Sequence, residues 1–142
     1  MALGRALQAL EQVIEPHLVQ NGLSLTEFAV LEVLNHKGPQ RLGEIRDRIL
    51  LTGASTTYVV KKLEERGLIR RRGCPEDSRV VFGELTAKGR ALIEGVFPAH
   101  VDLLQQAMGG LSVSQKRDTV RLLRSLRQHA RGVAGERITE AD

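Results

Sequence analysis

Residues 68–85 interrupt a sequence whose remaining apolar pattern is helical. Two short strand-like runs, 68–72 and 80–85, flank a segment of turn-forming residues with the sequence Gly73-Cys74-Pro75-Glu76-Asp77-Ser78. Two strands of this length joined by such a segment predict a β-hairpin. We therefore expect a mainly α-helical fold that carries one small β-hairpin.

Two short helices are predicted just before the hairpin, at about 41–50 and 54–66. A tight turn at Thr52-Gly53 joins them, and Gly67 ends the second. Two short helices connected by a brief glycine-containing turn are typical of a helix-turn-helix. A hairpin that follows such a pair is a wing, so residues 24–90 are predicted to form a winged helix-turn-helix lobe.

Longer helices are predicted on both sides of this lobe. They span about 3–21, 87–108 and 111–134, and the middle one is a long linking helix. Each has a seam of residues at alternating steps of four and three, which is typical of a helix that packs against another helix. The seam residues are Leu3, Leu7, Leu10, Ile14 and His17, then Ile93, Phe97, His100, Leu104 and Ala107, then Thr119, Leu123, Leu126, Ala130 and Val133.

Capping residues mark where the helices begin. Ser24 with Glu27 fits a capping box at the start of a largely buried second helix, and Ser112 with Gln115 fits another at the start of the last helix. Thr86 is expected to cap the linking helix. Residues 135–142 are expected to form a frayed tail.

The three seams predict a dimer. One chain of 142 residues cannot readily bury all of them within itself. We therefore expect a single domain, 1–142, that forms a homodimer through the dimerisation helices 3–21 and 111–134. The alternative is a monomeric bundle in which the terminal helices cover the central lobe.

Composition argues against several classes of function. Aromatic residues make up 3% of the chain and Trp is absent, which disfavours a protein that stacks on unpaired bases. No apolar stretch has the length of a membrane span, and the N-terminus lacks a signal core, so a cytoplasmic protein is expected. The single cysteine cannot form an internal disulfide.

Motifs of catalysis and metal binding are also missing from the sequence. It contains no phosphate-binding glycine loop, no nucleophile elbow and no metal-protease helix. The four histidines are dispersed, whereas zinc ligands cluster. We therefore expect no enzyme activity, no cofactor and no metal site.

Positive charge is concentrated in the predicted lobe. Residues 41–90 hold 12 Lys and Arg against 7 Asp and Glu, whereas the remainder holds 9 against 10. A local excess of this kind fits a phosphate-binding surface, although a randomly uneven surface is the alternative.

The helix at 54–66 is the candidate recognition helix. Val59, Val60 and Leu63 are expected to face the core, while the N-terminal residues of such a helix usually meet base edges in the major groove. Hydroxyl groups can donate to phosphates or bases, and lysines suit the backbone or a guanine edge. The candidate DNA-binding residues here are Ser55, Thr56, Thr57, Tyr58, Lys61 and Lys62. The alternative is that the hydroxyl groups are caps and the lysines form a solvated face.

The first wing strand contains three consecutive arginines. Successive side chains of a strand point to opposite faces, so Arg71 is expected to point away from Arg70 and Arg72. Arg70 and Arg72 are therefore the candidate DNA-binding residues of this strand.

Nearly the whole chain resembles the multiple-antibiotic-resistance regulator (MarR) family, and the resemblance is densest at residues 42–92. The resemblance consists of an ordered set: the recognition helix, the run LEERGLIRR, an acid-x-Arg motif at Asp77 and Arg79, and the run LTAKG before the long helix. The segment LLTGASTTYVVKKLEERGLI is also similar to the branch of the family that responds to quinones and related electrophiles.

The resemblance implies a symmetric winged-helix dimer that usually represses genes. It also implies that Arg79 reaches into the minor groove and that Asp77 helps to set its position. Ser78 departs from the pattern, because many relatives carry a basic residue between these two. Paired lobes about 34 Å apart would favour a palindromic operator in double-stranded DNA.

Members of the family often release DNA when they bind small aromatic anions or react with oxidants. By this resemblance an effector pocket is expected among the first, second and fifth helices, with His17 and Phe28 as candidate wall residues. A satisfied interface histidine is the alternative for His17. Cys74 is a redox candidate because Arg71 and Arg72 are close in sequence, and an inert thiol is the alternative.

A different class of function also fits a winged helix. The fold can serve as a protein-interaction module without specific DNA binding. The basic residues retained on the recognition helix and wing favour DNA binding over this alternative.

Overall fold

The computed structural model describes the backbone of residues 1–49 and 53–139, and the side chains of these residues except 53–55 and 134–139. The chain divides into two compact units, Met1–Leu104 and Gln105–Asp142. Six helices and three strands lie in the described ranges. They are α1 (Ala2–Gln20), α2 (Leu25–Lys37), β1 (Gln40–Arg41), α3 (Leu42–Ile49), α4 (Gly53–Glu65), β2 (Ile69–Gly73), β3 (Val81–Leu85), α5 (Ala87–Ala107) and α6 (Val113–Thr139).

The predicted caps are present. Ser24 and Glu27 form a complete capping box at the start of α2. The Oγ1 atom of Thr86 accepts a hydrogen bond from the backbone N–H of Gly89 at 3.0 Å, which caps α5. Because these caps satisfy backbone groups that a helix leaves unpaired, they favour the observed starts of α2 and α5.

The predicted hairpin is confirmed, and a third strand joins it. The sheet order is β1-β3-β2, and both pairings are antiparallel. Strand β1 is only two residues long, and Arg41 pairs with Phe82 in it. The helix expected from residue 41 therefore begins one residue later, at Leu42.

The core of the first unit lies beneath α2 and α4. Helix α4 turns Val59, Val60 and Leu63 inward, as the sequence predicts. Helix α2 contributes a nearly all-apolar face, and α5 adds Ile93 and Val96. The most deeply buried side chains of this core are Leu18, Val30, Leu31, Ile45, Leu63 and Ile93. The packing leaves the opposite side of α4 on the surface.

Gly89 marks a close backbone approach in the lobe. A Cβ atom built on it would lie 1.9 Å from the carbonyl oxygen of Leu68. That distance is far inside van der Waals contact, so the start of α5 reaches the wing only because position 89 has no side chain. The glycine of the LTAKG run is thus required by packing.

The second unit contains α6 and the last turn of α5. Helix α6 extends to Thr139, five residues beyond the expected end at 134, so most of the expected frayed tail is helical. Residues 113–133 contain six Lys and Arg and one Asp. Leu123, Leu126 and Val133 of its predicted seam are exposed in the single chain. Within the described residues, no helix combines the length and apolar character needed to cross a membrane.

Candidate nucleic-acid interface

The outer face of α4 is polar and exposed. Thr57 lies on this face, Tyr58 is 68% exposed, and the Lys61 side chain is equally exposed at 68%. They recur at the three- and four-residue steps that place side chains on one side of a helix. Helix α4 therefore presents hydroxyl, phenol and ammonium groups together to the solvent.

One hydroxyl candidate at the start of α4, Thr56, lies on the inner face of the helix. Thr56 is 4% exposed and lies beside a groove between α3 and α4, so the core rather than the outer face contains it. Its position follows from the helical period, because residues 56, 59, 60 and 63 share the buried face. The Ser55 side chain and the turn expected at Thr52 lie outside the described residues.

The two lysines of α4 have different partners. Lys61 pairs with Glu65 at 3.8 Å, and both side chains are about two-thirds exposed. The Nζ atom of Lys62 lies 3.2 Å from Oε1 of Glu27, whose side chain is only 3% exposed. Lys62 is thus held by a buried carboxylate, whereas the pairing of Lys61 is open to exchange with solvent.

Arg66 completes this arrangement just beyond the end of α4. Its Nη1 atom donates to the same Oε1 atom of Glu27 at 3.0 Å. Burial alone would raise the pKa of Glu27, but the Ser24 backbone amide and Lys62 outweigh that effect and hold the pKa below its ordinary value of 4.5. Glu27 is therefore ionised at neutral pH although it is buried. We call Glu27, Lys62 and Arg66 the Glu27 cluster.

The arginines of β2 alternate as predicted. Arg70 and Arg72 both pair with Glu84, which lies opposite Arg70 on β3. Arg71 points the other way and pairs with Glu64 of α4 at 3.1 Å. Because the single carboxylate of Glu84 pairs with two guanidinium groups, the face of the wing that carries Arg70 and Arg72 retains a net positive charge.

Phe82 lies between two arginines near the turn end of the wing. The guanidinium carbon of Arg41 lies 6.0 Å from its ring centroid, and that of Arg72 lies 5.9 Å from it. Both arginines are cross-strand neighbours of Phe82, one on each adjacent strand. Cation–π contacts of this kind align two cations along one side of the sheet.

The wing tip carries the most exposed cation in the predicted set. The Arg79 side chain is 90% exposed, and its Nε atom donates to Oδ1 of Asp77 at 3.1 Å. The backbone N–H of Arg79 donates to the same oxygen at 3.0 Å. These side-chain and backbone hydrogen bonds from Arg79 lower the pKa of Asp77. Asp77 thus holds the backbone and the Nε atom of Arg79 in place, while the Arg79 side chain projects from the protein surface.

The thiol of Cys74 has an acidic neighbour. Its Sγ atom lies 3.6 Å from Oε2 of Glu76, and the residue is partly buried. Arg71 and Arg72, the expected cationic neighbours, are engaged with Glu64 and Glu84. The observed contact is anionic, which differs from the electropositive surroundings typical of reactive thiolates.

His17 and Phe28, the two candidate pocket residues, lie close to His100. Phe28 is 2% exposed, and its ring centroid is 4.2 Å from that of His100. The Nε2 atom of His17 is 3.3 Å from the carbonyl oxygen of Val96. Burial, followed by the charge of His17, lowers the pKa of His100. Its Nδ1 atom is buried without a hydrogen-bond partner among the described residues.

Several contributing residues were not predicted from the sequence. Glu27 was assigned only as a cap, and Glu84 and Arg41 were not singled out. Each acts through a partner far along the chain, so no local pattern marks it. His100 belongs to a predicted seam, and periodicity does not reveal that packing leaves its Nδ1 atom without a hydrogen-bond partner among the described residues. Among the described residues, no group of three or more potential ligands is arranged to hold a metal ion.

Comparison with known proteins gives consistent matches. The model of the MarR family matches residues 23–81. The HTH-type transcriptional regulator MhqR of Bacillus subtilis (strain 168) is 43% identical over 112 residues, which cover 79% of this chain and 77% of MhqR.

Solved structures share the fold. BpsR of Bordetella bronchiseptica, whose DNA binding is regulated by 6-hydroxynicotinic acid, is 28% identical with a TM-score of 0.79, covering 89% of this chain and 96% of BpsR. Sco3205, a MarR family transcriptional regulator of Streptomyces coelicolor solved in complex with DNA, is 25% identical with a TM-score of 0.82, covering 90% of this chain and 82% of Sco3205.

Proposed function

Because the chain belongs to the MarR family of HTH-type transcriptional regulators, we propose that it is a repressor that binds a palindromic operator in double-stranded DNA as a homodimer. Helix α4 enters the major groove, and the wing follows the adjacent backbone and minor groove. The main support for this proposal is the exposed polar face of α4 next to the wing. At the wing tip the Arg79 side chain is 90% exposed, and Asp77 accepts hydrogen bonds from it.

The proposed contacts fall into three sets. Thr57, Tyr58 and Lys61 meet base edges and phosphates from α4, and Arg70 and Arg72 neutralise phosphates from β2. Arg79 enters the minor groove, whose narrow form concentrates negative potential and favours a guanidinium. Thr56 is left out of the contact set because it is buried, and Lys62 because Glu27 holds it.

Exposed seams support the homodimer. Leu3 and Leu7 of α1 and Leu126 of α6 are each more than half exposed in the single chain. Apolar seams at helical spacing are stable in water when a partner helix covers them. A second copy of the chain supplies such helices and brings two lobes to half-sites about 34 Å apart.

The proposed regulation involves a small-molecule effector. We propose that a small aromatic acid binds beside His17, Phe28 and His100 and shifts the dimer away from its DNA-binding form. The regulation of BpsR by 6-hydroxynicotinic acid supports the chemical class. The buried Nδ1 atom of His100, which has no hydrogen-bond partner in the described part of the chain, supports the place. The resemblance of residues 50–69 to the electrophile-responsive branch leaves Cys74 as the residue to test for reactivity.

The proposal gives the protein no catalytic activity and no cofactor, and it places the protein in the cytoplasm, where a bacterial operator lies. The competing class is a winged helix that contacts only proteins. The two differ in their response to salt, because phosphate contacts release counterions and weaken steeply as salt rises.

The test is binding of the purified protein to its own upstream intergenic DNA and to a scrambled duplex, across a salt series. We expect tight, sequence-selective, salt-sensitive binding by a dimer, which 6-hydroxynicotinic acid or a related aromatic acid weakens. Weak, salt-insensitive binding to both duplexes would instead favour the protein-interaction class.

A further inference from the structure

The Glu27 cluster joins the start of α2 to the far end of the recognition helix. One oxygen of the Glu27 carboxylate accepts the Ser24 backbone N–H at 2.8 Å, and the other faces both Lys62 and Arg66. The Glu27 side chain is 3% exposed, whereas Lys62 and Arg66 are 47% and 33% exposed. A single buried anion thus anchors two cations that extend toward the surface.

A buried carboxylate strongly resists the loss of its partners. An ion that has been removed from water depends on its remaining charge and hydrogen-bond contacts, so separating one partner leaves a poorly compensated buried charge. A DNA phosphate that took Lys62 would have to compete with Glu27. A phosphate that took Lys61 would displace only Glu65, which is itself 65% exposed.

We infer that Glu27 is an internal counter-charge that withholds Lys62 and Arg66 from the DNA backbone and so limits non-specific binding by the recognition helix. The inference rests on the proposed function and deepens it. The two neighbouring lysines of α4 then have separate roles. Lys61 neutralises a DNA phosphate, whereas Lys62 joins α4 to α2 through its ion pair with Glu27. With fewer free cations on α4, base contacts contribute a larger share of the discrimination between operator and other DNA.

Glu27→Gln tests the inference with little change in shape. Glutamine is accepted at the third position of a capping box, so the bond to the Ser24 backbone N–H can be kept while the charge is lost. On a scrambled duplex, each cation released per chain should steepen the slope of log K against log salt by about 0.9, which is about 1.8 per dimer for Lys62 alone and about 3.6 per dimer if Arg66 also reaches phosphate. Affinity for the scrambled duplex rises, and the ratio of operator to scrambled affinity falls.

Lysine variants show whether a change in the salt slope comes from cations released by the loss of Glu27 or from a change in the structure of the lobe. Lys61→Met should flatten the slope, whereas Lys62→Met in the wild-type background should leave it unchanged. In the Glu27→Gln background, Lys62→Met should remove the part of the added slope that Lys62 supplies. Glu32→Gln removes the same charge from α2 outside the cluster and should leave the slope unchanged.

Two outcomes overturn the inference: a folded Glu27→Gln protein with the wild-type slope, or a Lys62→Met protein whose slope flattens as much as that of Lys61→Met. If Glu27→Gln does not fold, the comparison of the two lysine variants still decides. All slopes are measured on a scrambled duplex, so they need no operator. Failure to find a selective operator would count against the proposed function alone.

Discussion

Replacing Arg79 with alanine should strongly weaken operator binding and leave the protein folded. The Arg79 side chain is 90% exposed and its ion pair is on the surface, so its loss has little effect on packing. A hydrogen bond to a charged group contributes about 1.5–3 kcal/mol. A dimer has two copies of Arg79, so operator affinity should fall by about 3–6 kcal/mol, or roughly 10²- to 10⁴-fold.

Related variants test the reason for this loss. Arg79→Lys keeps the charge without the planar guanidinium and should bind between wild type and Arg79→Ala. Asp77→Ala keeps Arg79 but removes the hydrogen bonds at its base. Ordering a long side chain on binding costs conformational entropy, so this variant should bind operator more weakly than wild type but more tightly than Arg79→Ala.

The assay is fluorescence anisotropy of labelled operator across salt concentrations, with circular dichroism to show that each variant is folded. Arg90→Ala is the matched control, because it removes an exposed arginine of α5 with an i,i+4 ion pair. If Arg79→Ala binds within about twofold of wild type while Arg90→Ala does the same, the wing assignment is wrong.

Three further predictions concern stability and assembly. Gly89→Ala should lower the free energy of unfolding by more than about 3 kcal/mol in denaturant titrations, because its Cβ meets a backbone carbonyl, whereas Gly95→Ala, with open space around it, should be neutral or stabilising. Burial lowers the pKa of His100, so the folded state resists protonation of this side chain. The contribution of neutral His100 to thermal stability should be fully present above pH 6.5, its ordinary pKa, and should decline as the pH falls below that value. His100→Phe should remove that part of the decline. A parallel decline in both proteins would contradict the role of His100. Leu126→Glu should convert a dimer into a monomer in analytical ultracentrifugation and weaken operator binding, and a dimer that persists would place the interface elsewhere.

Features encoded by short-range patterns were predictable from the sequence. The capping box of Ser24 and Glu27, the hairpin and the inward face of α4 depend on residues within a few positions of each other, and all three are observed. Strand β1 was not predicted, because two residues are too few to show a strand period. Arg41 belongs to a strand only because Phe82 lies opposite it.

Long-range partners account for the rest. Local sequence shows two adjacent lysines on α4, and nothing near them indicates that one faces a buried carboxylate from α2. The number of cations on a helix therefore overestimates the number that it can offer to DNA. The same limit applies to Arg70 and Arg72, whose shared partner Glu84 is on another strand.

The single tyrosine has a practical consequence for spectroscopy. The chain contains one Tyr and no Trp, and Tyr58 lies on the outer face of α4 with 68% exposure. Intrinsic tyrosine emission from this protein therefore comes from one ring per chain, placed where the proposed DNA contact forms. Quenching of that emission would follow docking in the unlabelled, unmutated protein, with one reporter at each half-site.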